Sequence, residues 1–136
     1  MANMKIDEIE GIGPSYSEKL RSADIVNTDK LLEACCNKAG RETVAEATGI
    51  PETMVLKWTN MADLFRLKDV GPEFAELLKA SGVDTVKELK HRNAENLATK
   101  MAEVNAEKKL ARRVPSAEVI TGWIAQAAEL PAVITH

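Results

Sequence analysis

Aromatic side chains are scarce: two Trp, two Phe and one Tyr in 136 residues. That leaves no platform on which successive nucleobases would stack. Long apolar runs are missing too, so nothing reaches the length needed to span a bilayer. Met1-Ala2-Asn3-Met4-Lys5 lacks the hydrophobic core of a signal peptide, and a cytoplasmic location away from membranes is expected. The only cysteines, Cys35 and Cys36, are neighbours. Neighbours bridge only under strain, so reduced thiols are expected, one buried and one half-exposed on a helix. Excess positive charge is absent as well: 18 Lys and Arg face 21 Asp and Glu, a net charge of −3. Dedicated nucleic-acid binders are usually basic, so this balance argues against that class.

Catalytic constellations are equally sparse. Cation-assisted phosphodiester cleavage needs several converging carboxylates. Asp7, Glu8 and Glu10 cluster in sequence, but adjacent residues on a short helix point in different directions. The histidines are His91, placed on the surface within Lys90-His91-Arg92, and His136. Ser15 and Ser17 have no neighbouring His, and neither a Gly-x-Ser-x-Gly nor a Walker-type loop occurs. The expectation is a protein that is no enzyme and holds no cofactor and no metal. At 14.8 kDa the chain fits one domain, or two small ones sharing a core. Area scaling gives roughly 7,000 Å² of folded surface, enough burial for a core without staples.

What stands out is Ile9-Glu10-Gly11-Ile12-Gly13-Pro14-Ser15-Tyr16. Gly11 and Gly13 allow the backbone to turn within a few residues, and Pro14 suits a first helical position. The stretch reads as short helix, tight hairpin, second helix, with the N–H groups of Gly13, Ser15 and Tyr16 pointing outward. Such a helix start accepts an anion, and a nucleic-acid phosphate is the usual one. From Ile9 to Leu32, with Leu20, Ile25, Thr28 and Leu31-Leu32 at matching places, the segment resembles the helix-hairpin-helix motif, which contacts a nucleic-acid backbone without reading bases. The same hairpin can instead only pack helices or dock on protein.

Helices are expected around Ile6 to Glu10, Pro14 to Ala23, Thr28 (as N-cap) to Cys36, and 41–48 after a break at Gly40. The next helix, 51–64, places Met54, Val55, Trp58, Met61 and Ala62 on one face. Asn93 caps a helix to about Val104, Asn105 breaks it, and Lys108 to Arg113 continues helically. A last helix, 116–129, carries Val119, Ile120, Trp123, Ile124 and Ala127, and Pro131 ends it. A shift of 58 residues aligns Ile9-Glu10-Gly11-Ile12-Gly13-Pro14 with Leu67-Lys68-Asp69-Val70-Gly71-Pro72. It also aligns Leu20 with Leu78, Ile25 with Val83, Thr28 with Val86 and Leu31 with Leu89. The predicted fold is all-α: two tandem helix-hairpin-helix repeats, lobes 1–66 and 67–136, each followed by a helical pair. A short Phe65-Arg66 link predicts packing as one pseudo-symmetric domain.

The second hairpin carries Asp69 where the first has Gly11, which puts a carboxylate where a phosphate would approach. Two basic clusters follow: Lys87, Lys90, Arg92 and Lys100, then Lys108, Lys109, Arg112 and Arg113. Over nearly its whole length the chain resembles the family known as domain of unknown function 4332. The resemblance rests on the first hairpin, on Ala62-Asp63-Leu64-Phe65-Arg66, on Gly82-Val83-Asp84-Thr85-Val86-Lys87-Glu88-Leu89, and on Leu110-Ala111-Arg112-Arg113-Val114-Pro115. Members are described as similar to the hairpin region of flap endonucleases, which implies DNA contact, not cleavage.

Two readings stand side by side. In the first, a non-catalytic module binds the DNA or RNA phosphate backbone. Gly11, Ile12, Gly13, Ser15, Lys19 and Arg21 form the main site, with Lys68, Gly71 and Lys79 repeating it in lobe two. About four neutralised phosphates would give a log–log salt slope of roughly −3 to −4. In the second, the hairpins are scaffold and the chain is an adaptor for a protein partner. An exposed Trp58 or Trp123 would support that reading.

Overall fold

The computed structural model describes residues 4–9 and 11–135; Met1 to Asn3, Glu10 and His136 lie outside the described residues. Regular structure among the described residues is helical, as the sequence predicts. A 3-10 turn, Ile6–Glu8, precedes α1 (Pro14–Ser22), α2 (Thr28–Cys35), α3 (Lys38–Thr48), α4 (Glu52–Leu64), α5 (Pro72–Ala80), α6 (Val86–Leu89), α7 (Ala94–Lys108) and α8 (Ala117–Glu129). An isolated bridge between Lys5 and Asn27 ties the first turn to the start of α2.

Helix starts follow local chemistry. Pro14 and Pro72 open α1 and α5, where a missing N–H costs nothing. Asn27, Asn37 and Asn93 cap α2, α3 and α7 by accepting from the N–H three residues on, at 2.8, 2.7 and 3.0 Å. Thr85 and Ser116 do the same for α6 and α8. Three sequence expectations change here. Asn27, not Thr28, is the cap of α2, and the Thr28 hydroxyl instead accepts from the Met4 N–H at 3.1 Å. Gly40 does not break a helix: α3 starts at Lys38, and a Cβ at Gly40 would collide with the Ala34 carbonyl. Asn105 does not break α7 either, because its side-chain amide brackets both the N–H and the C=O of Ala111 at 2.9 and 3.0 Å. The helix stops at Lys109, which is left-handed at φ 52°, so Lys109 to Arg113 is not helical.

Backbone details recur 58 residues apart. Gly13 and Gly71 are extended caps with φ −84° and −98°. Gly11 and Asp69 are left-handed, as are Asp24 and Gly82. The Ile25 and Val83 amides each reach back to the Leu20 and Leu78 carbonyls at 2.9 Å. Tyr16 tilts against Trp58 at 5.2 Å, and Phe74 against Trp123 at 5.3 Å.

Buried apolar side chains from both halves form one cluster, and the total exposed surface is 7364 Å². The central element is α4. Its sequence reads as one apolar face, yet Trp58 through Leu64 are all buried, polar Thr59, Asn60 and Asp63 included. Three helices, α2, α3 and α5, pack against α4, in keeping with this burial. Asp63 Oδ1 accepts from Arg66 Nε at 2.9 Å, and Oδ2 accepts from the Val86 N–H at 2.8 Å. Arg66 continues to the Pro131 carbonyl at 2.8 Å. Asp63→Ala leaves a buried guanidinium without its counter-ion and the start of α6 without its acceptor. A loss of about 3–5 kcal/mol is expected, read as a lower urea midpoint; an unchanged midpoint would refute the role assigned to this carboxylate.

Candidate nucleic-acid interface

The first hairpin is anchored from below. Ile9 and Ile12 are buried, and the Ile12 N–H closes the turn on the Ile9 carbonyl at 3.1 Å. Gly11 sits at φ +94°, a conformation that a side chain would strain, and a Cβ there would lie 3.5 Å from Trp58 Nε1. The Ile12 side chain thus serves as an anchor, and only its backbone belongs to the outer turn. Gly13 is exposed, with nothing within 4 Å of where a Cβ would sit, and no side chain caps α1. Among the described residues no acceptor meets the Ser15 or Tyr16 N–H, and Ser15 is exposed.

Charge around this turn is divided. Lys19 Nζ lies 5.8 Å from the Tyr16 ring centroid, a cation–π placement that keeps it beside the helix start. Arg21, two residues on, leaves α1 on another side and sits 4.0 Å from Asp7, both half-exposed. Asp7, Glu18 and Arg21 share a shallow groove with Ile12, Pro14 and Ser17. Lys19 and the open helix start therefore come together, while Arg21 faces acids.

The turn before α5 repeats the left-handed residue and the extended glycine of the turn before α1, with different chemistry. Asp69 takes φ +68° in the place of Gly11. The Lys68 N–H is held by Gln126 of α8 at 2.8 Å, and its side chain is exposed. Glu73 occupies the first turn of α5, at the place of Ser15, and accepts from Arg112 N, Nε and NH2 at 2.9, 3.1 and 2.8 Å. This contact holds the Glu73 carboxyl below its ordinary value. Arg113 stands over the Phe74 ring at 5.9 Å. A cavity of about 620 Å³ opens between Gly71, Glu73 and the two arginines. Lys79 lies in the last turn of α5, half-buried, well away from Gly71. Lys79, at the far end of α5, is thus not gathered with Lys68 and Gly71, and the carboxylate in the first turn of α5 is paired with Arg112. The sequence offered one signal for Glu73, its alignment with Ser15, and none for its pairing with Arg112.

A family model described as Domain of unknown function (DUF4332) matches residues 10–130. The chain belongs to that family. No curated protein and no solved structure matches it. Within this DUF4332 chain, no group of three or more His, Cys, Asp or Glu is placed to hold a metal among the described residues. No helix there is long and apolar enough to cross a membrane.

The thiols divide as the sequence predicts, Cys35 buried and Cys36 half-buried. Burial pushes the Cys35 thiol up to about 11, against the lowering influence of Thr59 and Arg41. A neutral-pH alkylation time course on the folded protein should label Cys36 and spare Cys35, with both labelled in denaturant. Equal labelling of both in the folded state would contradict the packing of α2 on α4.

Proposed function

We propose that this chain is a non-catalytic module that binds the phosphate backbone of DNA, or of RNA, without reading bases. Its architecture in this reading is two tandem helix-hairpin-helix units, each followed by a helical pair, in pseudo-symmetric arrangement. The 58-residue recurrence of left-handed residues and extended glycine caps supports that arrangement, and each half carries one tilted aromatic pair.

The observation that carries the proposal is the open start of α1. Exposed Gly13 and Ser15, with the Ser15 and Tyr16 N–H groups unclaimed and Lys19 alongside, make an anion-accepting turn. The first hairpin bears the contact and the second is occupied by Glu73, so about two phosphates are neutralised rather than four. Base readout has no element shaped for a groove, and affinity is modest. An adaptor reading built on exposed tryptophans has no footing, because Trp58 is 1% and Trp123 2% exposed.

Fluorescence anisotropy with labelled duplex and single-stranded DNA tests this directly. Binding should fall about tenfold between 50 and 200 mM salt, a log–log slope of roughly −2. Gly13→Glu places a carboxylate on an open position, so it should remove binding at least tenfold with an unchanged thermal midpoint. Absent binding at low salt, or binding indifferent to this substitution, would overturn the proposal.

A further inference from the structure

Residues 131–135 leave α8 without regular structure and cross back over both halves of the chain. The Pro131 carbonyl accepts from Arg66 NH2 at 2.8 Å. The Thr135 N–H donates to the Cys36 carbonyl at 2.7 Å, and the Thr135 carbonyl accepts from Arg41 NH2 at 2.9 Å. Between these points Ile134 is 9% exposed and joins the buried apolar cluster, and with Thr135 it walls one side of a pocket whose other lining residues are Thr85, Lys87, Glu88 and His91. Pro131 and Ala132 are exposed. Three hydrogen bonds to the segment's main chain, two of them from arginine side chains, and one buried apolar side chain are the means by which proteins grip peptides: the main-chain bonds supply affinity and the apolar anchor supplies selectivity.

The gripping residues are costly to leave empty-handed. Arg41 is 2% exposed and Arg66 8%. Arg66 has Asp63, but among the described residues Arg41 pairs with no carboxylate. It rests on two carbonyls, Cys35 at 3.1 Å and Thr135, while its Nε has no partner there. A buried cation needs those oxygens, so the groove is built to be filled. The geometry points to a peptide-binding groove that recognises the segment Pro131-Ala132-Val133-Ile134-Thr135. The chain fills it in cis, and the same segment of a second copy takes the place when the cis segment is displaced. Exchange of an identical element between copies needs no new contacts, only a hinge, and the extended Leu130-Pro131 junction supplies one.

The test uses the full chain. In wild-type protein the Thr135 amide should be protected from hydrogen exchange although it lies in an irregular segment, while the exposed Ala132 amide exchanges freely. Ile134→Asp ejects the segment from its socket, and Thr135→Pro deletes the donor to Cys36. A fluorescent peptide of residues 130–135 should bind either variant at least tenfold more tightly than wild type, where the tethered segment competes at millimolar effective concentration. The same peptide carrying Ile134→Asp should bind none of them. A Thr135 amide exchanging at the unprotected rate, or a peptide that binds wild type and variants alike or not at all, would overturn the inference. The exchange measurement stands even if a variant fails to fold.

Discussion

A carboxylate in the last turn of α4, Asp63, dictates where three separate pieces of chain must lie. Its side chain is 3% exposed, and each oxygen has a fixed partner: Arg66 on one, the first N–H of α6 on the other. A four-residue helix such as α6 has almost no stability of its own, since nucleation costs more than one turn returns. Its start is instead held by a charge from another helix. Arg66 passes the constraint on to Pro131, so the centre of the chain, the beginning of α6 and the end of α8 share one network. Burial outweighs the Val86 and Arg66 contacts and raises the Asp63 carboxyl above its ordinary value. The folded chain therefore holds that proton more tightly than the unfolded one. This group's contribution is fully present below the ordinary Asp value and is lost as pH rises through the folded one. The network is thus no net gain over a well-packed apolar substitute; it is an arrangement that cannot be halved.

Around that centre the two hairpins show how one backbone carries opposite chemistry. Gly11 and Asp69 adopt the same left-handed turn, and Asp tolerates it better than most side chains. Ser15 and Glu73 then decide the outcome. A hydroxyl leaves the start of α1 open, whereas a carboxylate at the start of α5 complements the helix end and recruits Arg112. Arg112 holds down the segment after α7, and Arg113 beside it covers Phe74. The second hairpin is thereby made a structural joint.

The parts legible in sequence were those written in local chemistry. The Gly13-Pro14 pair placed α1, expected over Pro14 to Ala23, to within a residue. Tryptophans at helical spacing were read as core, and they are. Errors arose where a residue has two uses. Gly40 and Asn105 look like breakers, but one permits close approach of Ala34 and the other brackets a loop from inside a helix. Long-range polar pairing left no trace at all. Nothing in the sequence marks Asp63, Arg41 or Arg66 as buried, and only the tertiary arrangement makes them core. The Glu73–Arg112 pair spans 39 residues, and no local pattern announces it.

Net charge does not describe the field at any one helix start. Asp63 and Glu73 are paired with arginines and Asp7 sits near Arg21, three pairs that leave the net charge as it is. What matters at the start of α1 is the local field, with Lys19 on one side and Asp7 and Glu18 on the other. In the proposed function, one such turn, neutralising about two phosphates, makes a weak and salt-sensitive hold. Two copies joined by exchanged 131–135 segments would carry two first hairpins on one particle. The second contact would then be made at the effective concentration set by the junction rather than at that of free protein, which multiplies a weak hold without changing any residue that touches phosphate.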